Sequence, residues 1–233
     1  MDLSNLMSEK DILQLVSLRE VFAGFAHEIA QPLNAIMIAS QVLQLRVQRG
    51  ELSEDEKSFL TNRLGVVSSQ VQRATRIVET LRSFSKPSAS DQEVADIRTS
   101  FESVYSLMGQ QFVGRGLELA WQACEDLPPV KAHPRVVESI LVQGLAFARD
   151  SAVAIAAWHE KCRMDYKKSV MVELIRSEGV PAVRIGWDTG QLPADSELVH
   201  GGPGVGLSLS ASILRSLQGG LASGPNWILI TFP

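Results

Sequence analysis

From about Ser8 to Arg49 apolar residues recur with helical period, and the stretch holds no glycine except Gly24 and no proline except Pro32. One long helix is expected. Within it Leu18, Phe22, Phe25, Ile29, Pro32, Ile36, Ala39 and Leu43 alternate spacings of four and three, a heptad seam that needs apolar partners. Gly50 ends the helix, and Ser53 followed by Glu54, Asp55 and Glu56 reads as an N-cap with acids in the first turn of a second one. There Leu60, Leu64, Val67, Val71, Ala74, Val78 and Leu81 repeat the seam, and the helix runs to about Ser85. The two segments form an antiparallel hairpin. Two helices cannot enclose a core alone, so pairing with a second copy as a four-helix bundle is the simplest cover, and a homodimer is expected.

Lys86-Pro87-Ser88-Ala89-Ser90 then stops the helix and reads as a linker. The domain division that follows is a helical hairpin over 1–85, a linker over 86–91 and a second domain over 92–233. In the second domain the pattern predicts a helix at Ile97 to Phe112, a strand at Leu117 to Ala123 and a turn at Leu127-Pro128-Pro129. A helix from Pro134 to about Arg149 follows, then paired strands at Val170 to Arg176 and Ala182 to Trp187, a helix at Leu207 to Leu217 and a last strand at Trp227 to Phe232. The fold class is therefore α+β: a long hairpin followed by a sandwich with helices on one face of a sheet.

Composition narrows the partners. The 22 Lys plus Arg against 26 Asp plus Glu give a net charge of -4 with no dense basic run, which argues against nucleic-acid binding. The uncharged stretch Ile29 to Leu45 carries Gln31, Asn34, Gln41 and Gln44 and makes a poor membrane span, and acidic Asp2 and Glu9 do not suit a secretion signal. A cytoplasmic protein without membrane insertion is expected. Cys124 and Cys162 lie far apart, which indicates neither a disulfide framework nor a metal site; buried thiols are expected.

His27 falls two residues after Phe25 and two before Ile29, far from the seam, next to Glu28. An adjacent carboxylate can hold one imidazole nitrogen as N–H and leave the other as a nucleophile. Pro32, about one turn on, removes a backbone hydrogen bond to residue 28 and crowds its carbonyl, which bends a helix. A zinc-protease reading needs a second histidine four residues after the first, where Gln31 stands.

The string His27-Glu28-Ile29-Ala30-Gln31-Pro32-Leu33-Asn34-Ala35-Ile36 closely resembles the phosphoacceptor motif of sensor histidine kinases. The resemblance implies that His27 carries a phosphoryl group, that Glu28 is the base, and that Gln31 helps position water in dephosphorylation. It implies a response-regulator receiver domain as partner, whose Asp exchanges the phosphoryl group, and it makes 1–85 a dimerisation and histidine-phosphotransfer hairpin.

Residues 92–233 resemble the ATP-binding domain of the same kinases. Asp188-Thr189-Gly190 is similar to the motif whose Asp binds the adenine amino group. Gly202-Pro203-Gly204-Val205-Gly206-Leu207 is similar to the glycine box near the phosphates, a glycine-rich turn opening a helix, where backbone N–H groups can approach phosphate. The pair Gly219-Gly220 resembles the turn into the last strands. The implied cofactor is ATP with Mg²⁺. The departures are specific: Gln143 and Phe147 occupy the two Asn positions, and phenylalanine cannot ligate the metal that phosphoryl transfer from ATP uses. Leu192 replaces a further glycine, and eleven residues, Gln191 to Gly201, are left for a lid.

Three readings follow. The first is a histidine phosphotransferase or impaired histidine kinase, exchanging a phosphoryl group between His27 and a receiver Asp in a phosphorelay; Phe147 favours it. The second is an active cytoplasmic kinase taking input from a separate sensor protein, favoured by Asp188 and the glycine turn. The third is a non-catalytic scaffold that binds a response regulator.

Overall fold

The computed structural model describes residues 9–47, 53–85, 94–192 and 204–233. The linker expected at 86–91 lies outside these. The elements in chain order are α1 (Glu9–Val47), α2 (Glu54–Ser85), α3 (Ile97–Val113), β1 (Glu118–Ala123), α4 (Pro134–Lys161), β2 (Ser169–Ser177), β3 (Val180–Trp187), α5 (Val205–Ser216), β4 (Gly220–Gly224) and β5 (Trp227–Thr231). They form two compact units, one of Met1–Val21 with Ser88–Pro233 and the other of Phe22–Pro87. The first turns of α1 thus belong to the α/β unit.

In the hairpin unit, α1 continues through Pro32. Phe25, Pro32 and Ala39 of the seam are buried. The start of α2 is a capping box: Ser53 Oγ accepts from the Glu56 N–H at 3.3 Å, and Glu56 Oε2 accepts from the Ser53 N–H at 3.0 Å. Arg46 lies over the Phe59 ring and faces Glu56 at 3.6 Å, which joins the helices near their connection. An apolar stripe stays uncovered: Phe22, Leu33 and Met37 of α1 and Leu64, Val71 and Val78 of α2, the last three spaced by seven, are exposed.

The α/β unit is built on a five-stranded sheet in the order β1-β2-β3-β5-β4. β1 and β2 are parallel and the remaining pairs antiparallel, with Val172 opposite Ile185 and Ile185 opposite Ile228. Alternation along the strands turns Val172, Leu174, Val183, Ile185, Ile228 and Ile230 into the core, all fully buried. Asp96 caps α3 by accepting from the Arg98 and Thr99 N–H groups, and the His133 ring accepts from the Arg135 N–H at the start of α4. α4 packs close against the sheet at Gly144, where an added Cβ would lie 3.0 Å from Ile185 Cδ1 and 3.1 Å from Ile230 Cδ1.

Two expectations are corrected. α4 runs to Lys161 rather than ending near Arg149. Asp150 and Ser151 suggested an end, but Asp150 is exposed while Ala152, Ile155, Ala156 and His159 carry the buried face onward with helical period. Cys124 and Cys162 are exposed rather than buried, because each falls just past the end of an element, after β1 and at the C-cap of α4. α4 is also the one described helix long and apolar enough to cross a membrane by length and composition, and 67% of that window is buried within the chain.

Gly144→Val is expected to overpack the α4–sheet contact at a cost of about 1–3 kcal/mol. A urea melt checks this through a lower midpoint at unchanged slope.

Candidate phosphoacceptor and nucleotide-type sites

On the hairpin, His27 and Glu28 lie on α1, one turn before Gln31; the side chains of His27 and Glu28 are outside those described. Gln31 is exposed, and its Oε1 accepts from Arg73 Nη2 of α2 at 3.4 Å. Arginine has no acceptor, so the carboxamide must turn its oxygen to Arg73 and keep its N–H₂ for other partners.

In the α/β unit the glycine turn leads into α5, with Gly204 as N-cap and Gly206 and Leu207 buried in the first turn; Gly202 lies outside the described residues. Gly206 is needed for space: a Cβ there would fall 1.8 Å from Gln143 Oε1. Gln143, on α4, is itself buried, and its Nε2 donates to Ser17 Oγ of α1 at 3.1 Å. Ser17 in turn donates to the Ser139 carbonyl at 3.1 Å. One turn along α4 from Gln143, Phe147 packs edge-on against Trp187, with ring centroids 5.7 Å apart.

Asp188 is exposed directly after β3, and its Oδ1 accepts from the Gly190 N–H at 2.8 Å, closing a tight turn. Gly190 has φ +56° and faces the His159 ring, where a Cβ would lie 2.7 Å from Nε2. Both conformation and space therefore require glycine. His159 is buried, with Nδ1 3.0 Å from the Ile155 carbonyl. A carbonyl only accepts, so Nδ1 carries the proton and Nε2 is free to accept from the Gln191 N–H at 3.2 Å. Tyr166 stacks on His159, and its hydroxyl donates to the Asp188 carbonyl. Burial, and secondarily the Asp188 charge, push the Tyr166 phenol up to about 12.

A family model described as the His Kinase A (phospho-acceptor) domain matches residues 17–90, the stretch containing the motif around His27. The two-component sensor PprA of Pseudomonas aeruginosa is 25% identical over 228 residues, covering 90% of this chain and 23% of PprA. The signal transduction histidine-protein kinase AtoS of Escherichia coli is 23% identical over 211 residues, covering 88% of this chain and 32% of AtoS. The chain is thus similar to sensor histidine kinases, and residues 17–90 match their phospho-acceptor domain. It spans between about a quarter and a third of the length of these curated relatives. The solved Acinetobacter baumannii histidine kinase AdeS is 17% identical, with 83% of this chain and 94% of AdeS covered at a TM-score of 0.42.

The resemblance to these kinases places two side chains of α4, Gln143 and Phe147, where a metal would be held. A hard cation between phosphates needs oxygen ligands. Phe147 offers none, while Gln143 spends its Nε2 on Ser17 and holds its oxygen against Gly206. Among the described residues no cluster of three or more His, Cys, Asp or Glu could hold a metal ion. The Phe147 side chain does not fit a magnesium nucleotide.

The motif at 27–36, the aspartate turn and the glycine turn were all visible in the sequence. Ser17, Arg149, His159 and Tyr166 were not singled out. Leu13, Ser17 and Val21, spaced by four and all buried, form a second stripe on α1, and a serine inside it was the available signal.

Gly206→Ala should destabilise the α/β unit by about 1–3 kcal/mol, and Gln143→Ala should recover part of that loss in the double variant. Thermal unfolding of the four proteins of the cycle measures it. For Tyr166, a folded-state pKa above the unfolded value of about 10 means that its contribution to stability is complete below that pH and is lost as pH rises through about 12. The stability difference between wild type and Tyr166→Phe is therefore expected to narrow over that window in urea melts.

Proposed function

We propose that the chain is a histidine phosphotransferase: His27 takes a phosphoryl group from an aspartyl phosphate of one response-regulator receiver domain and passes it to the aspartate of another. The observation that carries this reading is the contrast between the two sites. The motif from His27 to Ile36 is complete, whereas Phe147 supplies no oxygen for a nucleotide-bound cation and the Gln143 amide is bonded to Ser17. In the transfer, the lone pair of the unprotonated imidazole nitrogen forms the N–P bond, the P–O bond to the receiver aspartate breaks, and the carboxylate leaves with the electron pair. The proton on the other ring nitrogen passes toward Glu28, which keeps the phosphorylated ring from bearing a full positive charge. The carboxamide of Gln31, with its oxygen held by Arg73, offers N–H groups that suit phosphoryl oxygens.

A second copy of the chain is the partner that suits the uncovered stripe of Phe22, Leu33, Met37, Leu64, Val71 and Val78, closing a four-helix bundle. The hairpin of Phe22–Pro87 then serves as the phosphotransfer element, and the residues from 92 onward as an ATP-binding-like domain without nucleotide chemistry. The kinase alternative rests on Asp188 and the turn from Gly204 to Leu207. Of these, Gly206 already has the Gln143 side chain against it.

Incubation with a receiver domain carrying radiolabelled aspartyl phosphate tests the proposal. Acid-labile label is expected on the wild type and none on His27→Gln, with Glu28→Gln slowed about 10²-fold. A wild-type chain that takes no label from any phosphorylated receiver would contradict it.

A further inference from the structure

Helix α1 contributes three successive polar contacts to the α/β unit. Glu9 accepts from Ser212 Oγ of α5 at 3.1 Å. Ser17 bridges Gln143 and the Ser139 carbonyl of α4. Glu20 accepts from Arg149 Nη2 at 3.2 Å, while the same guanidinium bonds Gln111 of α3 and, at 2.7 Å, Asp150. Burial opposes the charge of Arg149, but the Asp150 and Glu20 carboxylates more than offset it and raise its pKa.

The chemistry of these contacts selects a helix as occupant. Ser17 has no exposed surface, and a buried hydroxyl is tolerated only when it is hydrogen-bonded. Here it is, once as donor and once as acceptor. Gln143 is long enough to meet Ser17 with its N–H while its oxygen lies against Gly206 in the first turn of α5. A helix opened by Gly204-Val205-Gly206 is the geometry that elsewhere receives phosphate; in this chain a carboxamide tied to α1 stands there. On the other side of the same turns, Ile12 and Leu15 are exposed.

We infer that the α4–α5 face of the α/β unit is a helix-binding surface, a clamp whose ligand is the chain's own α1 from Glu9 to Val21, in place of a nucleotide. The inference rests on the phosphotransferase reading and gives the α/β unit a role in it: the domain grips the helix that also carries His27. Arg149 anchors the end of the gripped segment and Ser17 its middle.

Hydrogen exchange of the full chain, with and without ATP, tests the clamp. Amides 13–21 are expected to exchange slowly in the wild type and unchanged by ATP, and equilibrium dialysis is expected to show no ATP retained. Ser17→Arg should speed exchange across 13–21 by about tenfold or more, whereas Leu15→Arg, on the exposed side, should not. If Ser17→Arg fails to fold, Ser17→Ala with Glu20→Ala removes the Ser17 bonds and the acceptor for Arg149 without added bulk and should speed exchange in the same segment. Fast exchange of 13–21 in the wild type, or ATP retained while these amides stay protected, would overturn the clamp. Receiver-to-His27 transfer measured on the same samples separates the outcomes: lost transfer with intact protection would sink the phosphotransferase reading alone.

Discussion

A serine hydroxyl with no solvent exposure must find both a donor and an acceptor inside the protein, or its burial costs several times what one hydrogen bond returns. Ser17 finds them in Gln143 and the Ser139 carbonyl, and much of the α/β unit follows from that requirement. Gln143 can turn its amide toward Ser17 because residue 206 lacks a Cβ. The first turn of α5 is then set against α4, and α4 against the sheet at Gly144, where an added Cβ would also be crowded, at 3.0 Å from Ile185 Cδ1. Arg149 repeats the pattern at higher stakes, since a buried guanidinium without carboxylates would be strongly destabilising. Its partners Glu20 and Gln111 come from α1 and α3. These polar contacts add modest net stability and considerable specificity, because Ser17 and Arg149 each find their partners on other helices in this packing.

Packing contacts also occupy the α4 position where the resemblance leads one to expect a metal-binding asparagine. Phenylalanine at 147 gains an edge-on contact with Trp187, so what is lost as a cation ligand returns as packing. The turn after β3 is held from below by the stacked His159 and Tyr166, through the Gln191 N–H and the Asp188 carbonyl. Its shape therefore depends on protein groups and needs no bound ligand to hold it.

The hairpin was legible because helix seams are written in the period of apolar residues, and α1 and α2 begin and end within a few residues of where that period places them. Most strands were legible for the same reason, being runs of alternating or continuous β-branched residues such as Val170 to Arg176. β4 escaped as a separate strand because Gly220-Leu221-Ala222-Ser223-Gly224 has almost no β-propensity and forms only by pairing with β5. The extent of α4 escaped because the polar Asp150-Ser151 pair imitates a helix end. The motif residues could be placed from the string alone. The link between Ser17, Gln143 and Gly206 could not, since Ser17 and Gln143 stand 126 residues apart and the link depends on a close approach that no local pattern encodes.

The central claim is that the phosphoryl group on His27 comes from a receiver and not from ATP. The most direct measurement is incubation of the purified chain with γ-labelled ATP and Mg²⁺ beside His27→Gln, following acid-labile label on the protein. No label is expected on either protein. Label that appears on the wild type and vanishes in His27→Gln would make the chain an autokinase and contradict it.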